Sequence, residues 1–475
     1  MYEFQVLDSR QQFLSPFLLK EGKIESLVER LLMEDYLFFD LENDDYQDRF
    51  YGNTKLSHRA MENYFMPYIE SILFPKSLEA FDSVRRFSKA VDQKCTLKSA
   101  DFEVDFIIDS MDVYIFPYHI GLVNLRVRIP GNLTNNEVYT FSEKFRNLVP
   151  RDEHNKEISI QCDENTHDHA KDFIFNNLLK PFKRYMENHT PDFPTYYGSL
   201  PFYMDERMFV VSYIQSDPEH EISKTDLYRA GELNGYNQDG EEYIGATNED
   251  YVKRYYKSYV YDRWASNTFY VATDSHFVCI TKEQGNLAER KLREMYGDYF
   301  YTLLMLWYYR LMLLKLNHEH SQIEIEKDHS KVNLLTIMIS DFSAKYYFPE
   351  LSSNTSGREI ANLLRNAFNI ERLYSEVDAT LSRLFKKQEK LEGNQINALL
   401  QILTIYTVIS GIYGMNLVID DLSGNINWSK FMEFSFFEWI VVFVTITGIV
   451  LSFIMGYYFL KRWVLERRSK KRKMY

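Results

Sequence analysis

The sequence predicts an α+β body, then a long stalk helix, then a two-helix transmembrane hairpin. Three observations carry this. Residues 102–129 alternate apolar and polar side chains with the two-residue period of strands. No proline follows Pro349, and an approximate heptad runs through Leu363, Ala367, Ile370, Tyr374, Val377, Leu381, Leu384, Gln388, Leu391 and Gln395. Two apolar stretches, Ile396 to Tyr413 and Trp439 to Leu460, close the chain. The expected divisions are a cytoplasmic α/β domain over 1–290, a helical region over 291–395, and a hairpin with a basic tail over 396–475.

The body's elements follow in order. Helices are predicted near 21–33, 137–148 and 166–188, and over Leu287 to Asn317. A β-meander is predicted over Phe102–Asp109, Val113–Phe116 and Leu122–Ile129. A further hairpin joins Phe269–Ala272 to His276–Ile280 around Thr273-Asp274-Ser275. Residues 189–250, rich in Tyr, Asp, Asn and Gly, read as irregular connections. Tyr301–Leu316 is apolar but short and carries Arg310, so it reads as a buried helix rather than a span.

Ser356 with Glu359 makes a capping-box start for the stalk. If unbroken, residues 357–416 form one helix of roughly 90 Å at about 1.5 Å per residue. Gly393 is the expected weak point. Residues 439–460 carry no charge, and roughly 20 apolar residues suffice to cross a bilayer as helix. Trp439 at one end and Tyr457, Tyr458 and Trp463 at the other suit interfacial belts. On the first stretch Asn397, Gln401, Thr404, Thr407, Gly411 and Gly414 share one helical face. Two readings of that polar stripe stay open: helix packing, or a water-lined path.

Composition sets further bounds. The 475 residues include 36 Tyr and 35 Phe, enough for two or three cored domains. Cys95, Cys162 and Cys279 show no paired spacing, which suggests a reducing compartment and no zinc site. The first residues show no signal peptide. Net charge is -13, yet the tail after Leu460 holds eight Lys/Arg against one Glu, leaving the preceding residues at -20. Such an acidic body repels nucleic acid and attracts cations. The basic tail, against Asp420, Asp421, Glu433 and a lone Lys430 in the loop, places both termini in the cytoplasm by the positive-inside rule.

Enzyme chemistry has little support. His167-Asp168-His169 and His318-Glu319-His320 lack the i, i+4 histidine spacing of zinc helices and read as solvated turns or helix faces. Asp239-Gly240-Glu241-Glu242 lacks the full EF-hand pattern. No P-loop or GxSxG occurs, and the chain is expected not to be an enzyme.

Tyr413-Gly414-Met415-Asn416, ending one apolar stretch shortly before a second, resembles the CorA-type magnesium transporter family. The resemblance covers about residues 357–475. It implies a homopentameric, funnel-shaped channel in the inner or plasma membrane. Gly414, Met415 and Asn416 would form the ion-selecting outer mouth, with Asn416 holding hydrated Mg²⁺. Ile396, Leu400, Thr404 and Thr407 would line the pore, Asp420 and Asp421 would gather cations outside, and Lys461 and Arg462 would form a basic cytoplasmic ring. The implied partners are other copies of the chain, the lipid bilayer and divalent cations, with Mg²⁺ both transported and regulatory. The chain lacks the family's frequent proline in the first span and its Met-Pro-Glu loop. The alternatives are a transporter of Zn²⁺, Co²⁺ or Ni²⁺, and a non-conducting membrane-anchored sensor or scaffold.

Overall fold

Twelve strands make one sheet: β1 (Gln5–Leu18), β2 (Leu37–Phe38), β3 (Arg85–Ser99), β4 (Phe102–Ile115), β5 (Ile120–Arg128), β6 (Leu133–Thr134), β7 (Ser159–Cys162), β8 (Asn165–His167), β9 (Phe209–Ser216), β10 (Val260–Trp264), β11 (Thr268–Ala272) and β12 (His276–Thr281). Their order is β10-β11-β12-β9-β1-β5-β4-β3-β7-β8, with β2 beside β3 and β6 beside β1. Among the described residues every pairing is antiparallel except that of β12 with β9. The helices are α1 (Ile24–Met33), α2 (Pro67–Leu73), α3 (Asn135–Arg146), α4 (Lys224–Glu232), α5 (Glu249–Tyr259), α6 (Asn286–Tyr296), α7 (Asp298–Ser321), α8 (His329–Lys345), α9 (Thr355–Ala367) and α10 (Ile370–Asn416).

This computed structural model describes the chain except residues 1–2, 44–47, 57, 59–60, 62, 100–101, 149–157, 164, 188–206, 238, 324–327, 417–434, 458–475 and scattered positions between 438 and 456. The chain forms two compact units, Met1–Leu381 and Ser382–Tyr475.

Within the first unit the sheet is covered on both faces, because alternate residues of its central strands are buried on opposite sides. Phe13 of β1 packs edge-on to Phe141 and Phe145 of α3, whereas its neighbour Gln12 donates to the Met295 carbonyl of α6. Phe209 of β9 meets Trp307 of α7, and Phe116 stacks on Tyr308. The apolar run expected as a buried helix is α7, buried from Tyr299 to Tyr309, with Arg310 Nη1 donating to the Asp274 carbonyl at 2.9 Å. α3 starts on a capping box in which Glu137 accepts from the Thr134 backbone at 2.8 Å.

The hairpin over 269–280 is present as β11 and β12, and the meander as β4 and β5. Its first two expected pieces are one continuous strand. The expected helix over 166–188 is instead β8 followed by short π and 3-10 turns. The region expected to be irregular holds β9 and α4. The stalk breaks at Asn369, which adopts φ +53°, while Gly393 lies inside α10. Asparagine tolerates the left-handed conformation better than most residues. Glu359 does not cap; it accepts from Tyr261 and, at 2.9 Å, from Arg263. Ile370 and Val377 of the heptad are buried in the first unit, so that seam is already occupied there. Cys95 and Cys162 are disulfide-bonded, a pairing that their spacing in the sequence did not suggest. Their pairing follows strand register, not sequence spacing.

Asp298, at the start of α7, has its carboxyl pushed up to about 7 by burial, with Glu294 adding repulsion. A carboxyl whose pKa rises on folding costs stability once it ionises. The cost is absent below the unfolded value near 4 and complete above 7. Asp298→Asn is therefore expected to stabilise the protein at pH 8 by about 2 kcal/mol, discounting for partial exposure. Thermal melts at pH 8 and pH 4.5 check this, because most of the gain should be gone at the lower pH.

Candidate functional site

Two features stand apart from ordinary packing: a buried ionic network in the first unit and an apolar surface on the second. The network grows from strand alternation. Ser110, Asp112 and Tyr114 of β4 lie beside Arg86 and Ser88 of β3 and Arg126 of β5. Asp112 accepts from Ser88 Oγ at 2.6 Å, Tyr114 Oη at 3.0 Å, Arg86 at 3.3 Å, and Arg126. Arg86 also donates to Tyr301 of α7 at 2.6 Å, and Arg126 to Ser110 at 3.0 Å. Their guanidiniums lie over the rings of Phe39 and Tyr51, 4.5 and 4.6 Å from the centroids.

Asp112, Arg86 and Arg126 are fully buried. Burial alone would raise the Asp112 carboxyl, but Arg126 and then Arg86 override it and hold it well below the usual range. His58, bonded through Nε2 to Tyr51 at 3.0 Å, is pushed well down by burial and by the same two arginines. The network is a closed electrostatic joint. A narrow pocket among the described residues of this unit is lined instead by apolar side chains, among them Phe17, Leu27, Val113 and Phe182. Among the described residues no cluster of three or more His, Cys, Asp or Glu is arranged to hold a metal.

The second unit presents the opposite character. Sixteen large apolar side chains are exposed there among its described residues, against ten in the much longer first unit. On α10 they include Ile396, Leu399, Leu400, Leu403, Ile405 and Val408. Thr404 and Thr407 donate their hydroxyls to the Leu400 and Leu403 carbonyls of their own helix at 2.7 and 2.8 Å. Both threonines are exposed on the helix surface. Tyr406, partly covered, bonds Thr447 at 2.9 Å, and so joins α10 to the segment beyond Ser435.

The sequence-derived residues fall into three sets. Ile396, Leu400, Thr404 and Thr407 are all exposed on α10, together with Asn397, Gln401 and Gly411. Gly414, Met415 and Asn416 form its last turn, and their side chains lie outside the described residues. Asp420, Asp421, Lys461 and Arg462 also lie outside them. His167 packs its ring against Phe173, and His318 and His320 sit in the last turn of α7. The ionic network escaped sequence reading. Its signal was the polar pair Asp109-Ser110 with Asp112, which breaks the alternation of Glu103 and Asp105 earlier in the strand.

Comparison with known proteins finds no matching family model, no matching curated protein and no matching solved structure. Among the described residues no helix is long and apolar enough to cross a membrane. These findings overturn the CorA-type resemblance and what rested on it: the transmembrane hairpin, the homopentameric funnel, the divalent-cation channel, the bilayer partner and the membrane location. The resemblance depended on three adjacent residues and on their place between apolar stretches. The first of those stretches belongs to a 47-residue helix whose earlier half is heavily charged and whose later half is interrupted by Asn397, Gln401, Thr404 and Thr407.

Proposed function

We propose that this chain is a non-catalytic interaction protein whose second unit mediates association with a second copy. The observation that carries the reading is the exposed apolar face of α10. A stable interface removes about 800 Å² per partner, some 20–30 residues a side. Eight of the sixteen exposed large apolar side chains lie on α10 and contribute toward a surface of that order. Leu400, Thr404, Thr407 and Gly411 are spaced 4, 3 and 4, the seam of two packed helices. The self-satisfied threonine hydroxyls make this seam inexpensive to desolvate. Tyr406 bonds Thr447 from another side of α10, so the seam stays available. A two-fold interface pairs one such patch with itself and needs no other partner.

Sedimentation velocity of the full chain in detergent-free buffer tests the reading. A dimer is expected, and Leu400→Glu should weaken it by about a hundredfold, since each copy buries one new charge. Met33→Glu, at an exposed apolar position of the first unit, should leave it unchanged. A monomer at every concentration would sink the proposal. So would a chain that stays dispersed only in detergent or floats with phosphatidylcholine vesicles, since lipid would then be the occupant.

A further inference from the structure

We infer that the Cys95–Cys162 disulfide is a redox-controlled latch on the outermost hairpin of the sheet. The two cysteines are directly opposed across β3 and β7, with Cα atoms 4.3 Å apart. β7 and β8 end the sheet path on this side, with four and three residues. Four residue pairs attach β7 to β3: Cys95 with Cys162, Thr96 with Gln161, Leu97 with Ile160, and Lys98 with Ser159. Outside the ladder, Gln93 reaches the Asp163 carboxylate at 3.1 Å from an exposed position.

So short an edge hairpin is a weak holder by itself. Edge elements open well below the global unfolding free energy, and beyond its four pairs β7 is held by the burial of Ile160. The covalent bond sits in the ladder and supplies what the hydrogen bonds do not. Elsewhere the sheet does not need it. β1, β5 and β9 are paired on both edges and buried on both faces.

Both sulfurs are nearly inaccessible, at residue exposures of 4% and 1%. A reductant therefore acts only when the hairpin opens. A small dithiol supplies the electrons. One of its thiolates displaces a protein sulfur and forms a mixed disulfide; its second thiol displaces the other partner. The reductant leaves as its own disulfide, and Cys95 and Cys162 each take a proton. The remaining cysteine, Cys279, is in the core with its thiol pushed up by burial, so it neither attacks nor resolves. Reduction thus frees β7 and β8 and uncovers the backbone of β3 from Cys95 to Lys98.

Hydrogen exchange read by mass spectrometry tests the latch on the full chain, oxidised and after dithiothreitol, beside the Cys95→Ser/Cys162→Ser variant. On reduction, peptides covering 95–98 and 159–167 should exchange at least about tenfold faster, with β1, β5 and β9 unchanged. The variant should match the reduced protein without added reductant. Unchanged protection would overturn the inference, as would an equal rise across the whole sheet, which marks a global staple. Three free thiols in the protein purified without reductant would overturn it too. If the variant does not fold, the reduced wild type decides alone.

Discussion

Asp112→Asn is expected to destabilise the first unit by roughly 3–5 kcal/mol, the cost of leaving a buried charge without its counter-charge. Two guanidiniums share this one carboxylate, and all three groups are fully buried. Asparagine keeps the volume and one acceptor oxygen but removes the negative charge. Arg86 and Arg126 then face each other uncompensated across β4. Their cation–π contacts with Phe39 and Tyr51 offset only part of this, each about 2 kcal/mol when desolvated. Urea unfolding at pH 7, followed by far-ultraviolet circular dichroism, measures the loss. A triple replacement, Asp112→Leu with Arg86→Met and Arg126→Met, should recover most of it, because burying no charge is cheaper than burying two unpaired ones. A single-variant loss under 1 kcal/mol would show that water reaches the joint.

Acid weakens the fold through His276, and the second expected result is the size of that effect. Its ring lies between two elements: Nδ1 donates to the Ala230 carbonyl of α4 at 2.9 Å, and Nε2 meets Ser212 Oγ of β9 at 2.7 Å. Burial, with Arg146 nearby, lowers its pKa to about 3. The unfolded chain therefore takes up a proton first, near pH 6.5. The stability held by neutral His276 is complete above that pH and is lost progressively as the pH falls toward 3. At pH 4 the loss is about 3 kcal/mol. His276→Asn keeps an amide donor near the Ala230 carbonyl but cannot charge. Between pH 7 and pH 4 the wild type should lose about 3 kcal/mol more than the variant in urea titrations. Parallel losses would mean that His276 is not the group responsible.

Strands with clean alternation or a clear apolar run, β4, β5, β11 and β12, were legible in the sequence, and so was the buried helix α7. β1 was not, because Asp8, Arg10, Gln11 and Gln12 interrupt its pattern. In the fold those side chains are paired: Arg10 with Asp8, Gln11 with Ser9 and Ser212, Gln12 with Asn124. β3 was hidden by Arg85, Arg86, Lys89, Asp92 and Lys94 for the same reason. A polar residue in a strand looks like a solvent-facing position until its partner, often more than a hundred residues away, is known. The disulfide was illegible because connectivity is set by strand register. At the candidate interaction surface the residues were found and their use was misread. An uncharged apolar run records only that water is to be excluded. Whether a second helix or another medium excludes it is not written in that run.

The position of β1 has a consequence for how the molecule is made. It leaves the ribosome before every strand it pairs with, yet it sits in the middle of the sheet, between β5 and β9. Its last edge partner, Ser216, is nearly two hundred residues downstream of Leu18. At translation speeds of about 5–20 residues per second, that edge waits roughly ten seconds or longer for its neighbour. Through that interval an aromatic strand ending in Phe13, Leu14, Phe17 and Leu18 has a free side. The nascent chain is thus most exposed to mispairing while the sheet is half made, and slowed synthesis between residues 130 and 210 would lengthen the hazard rather than relieve it.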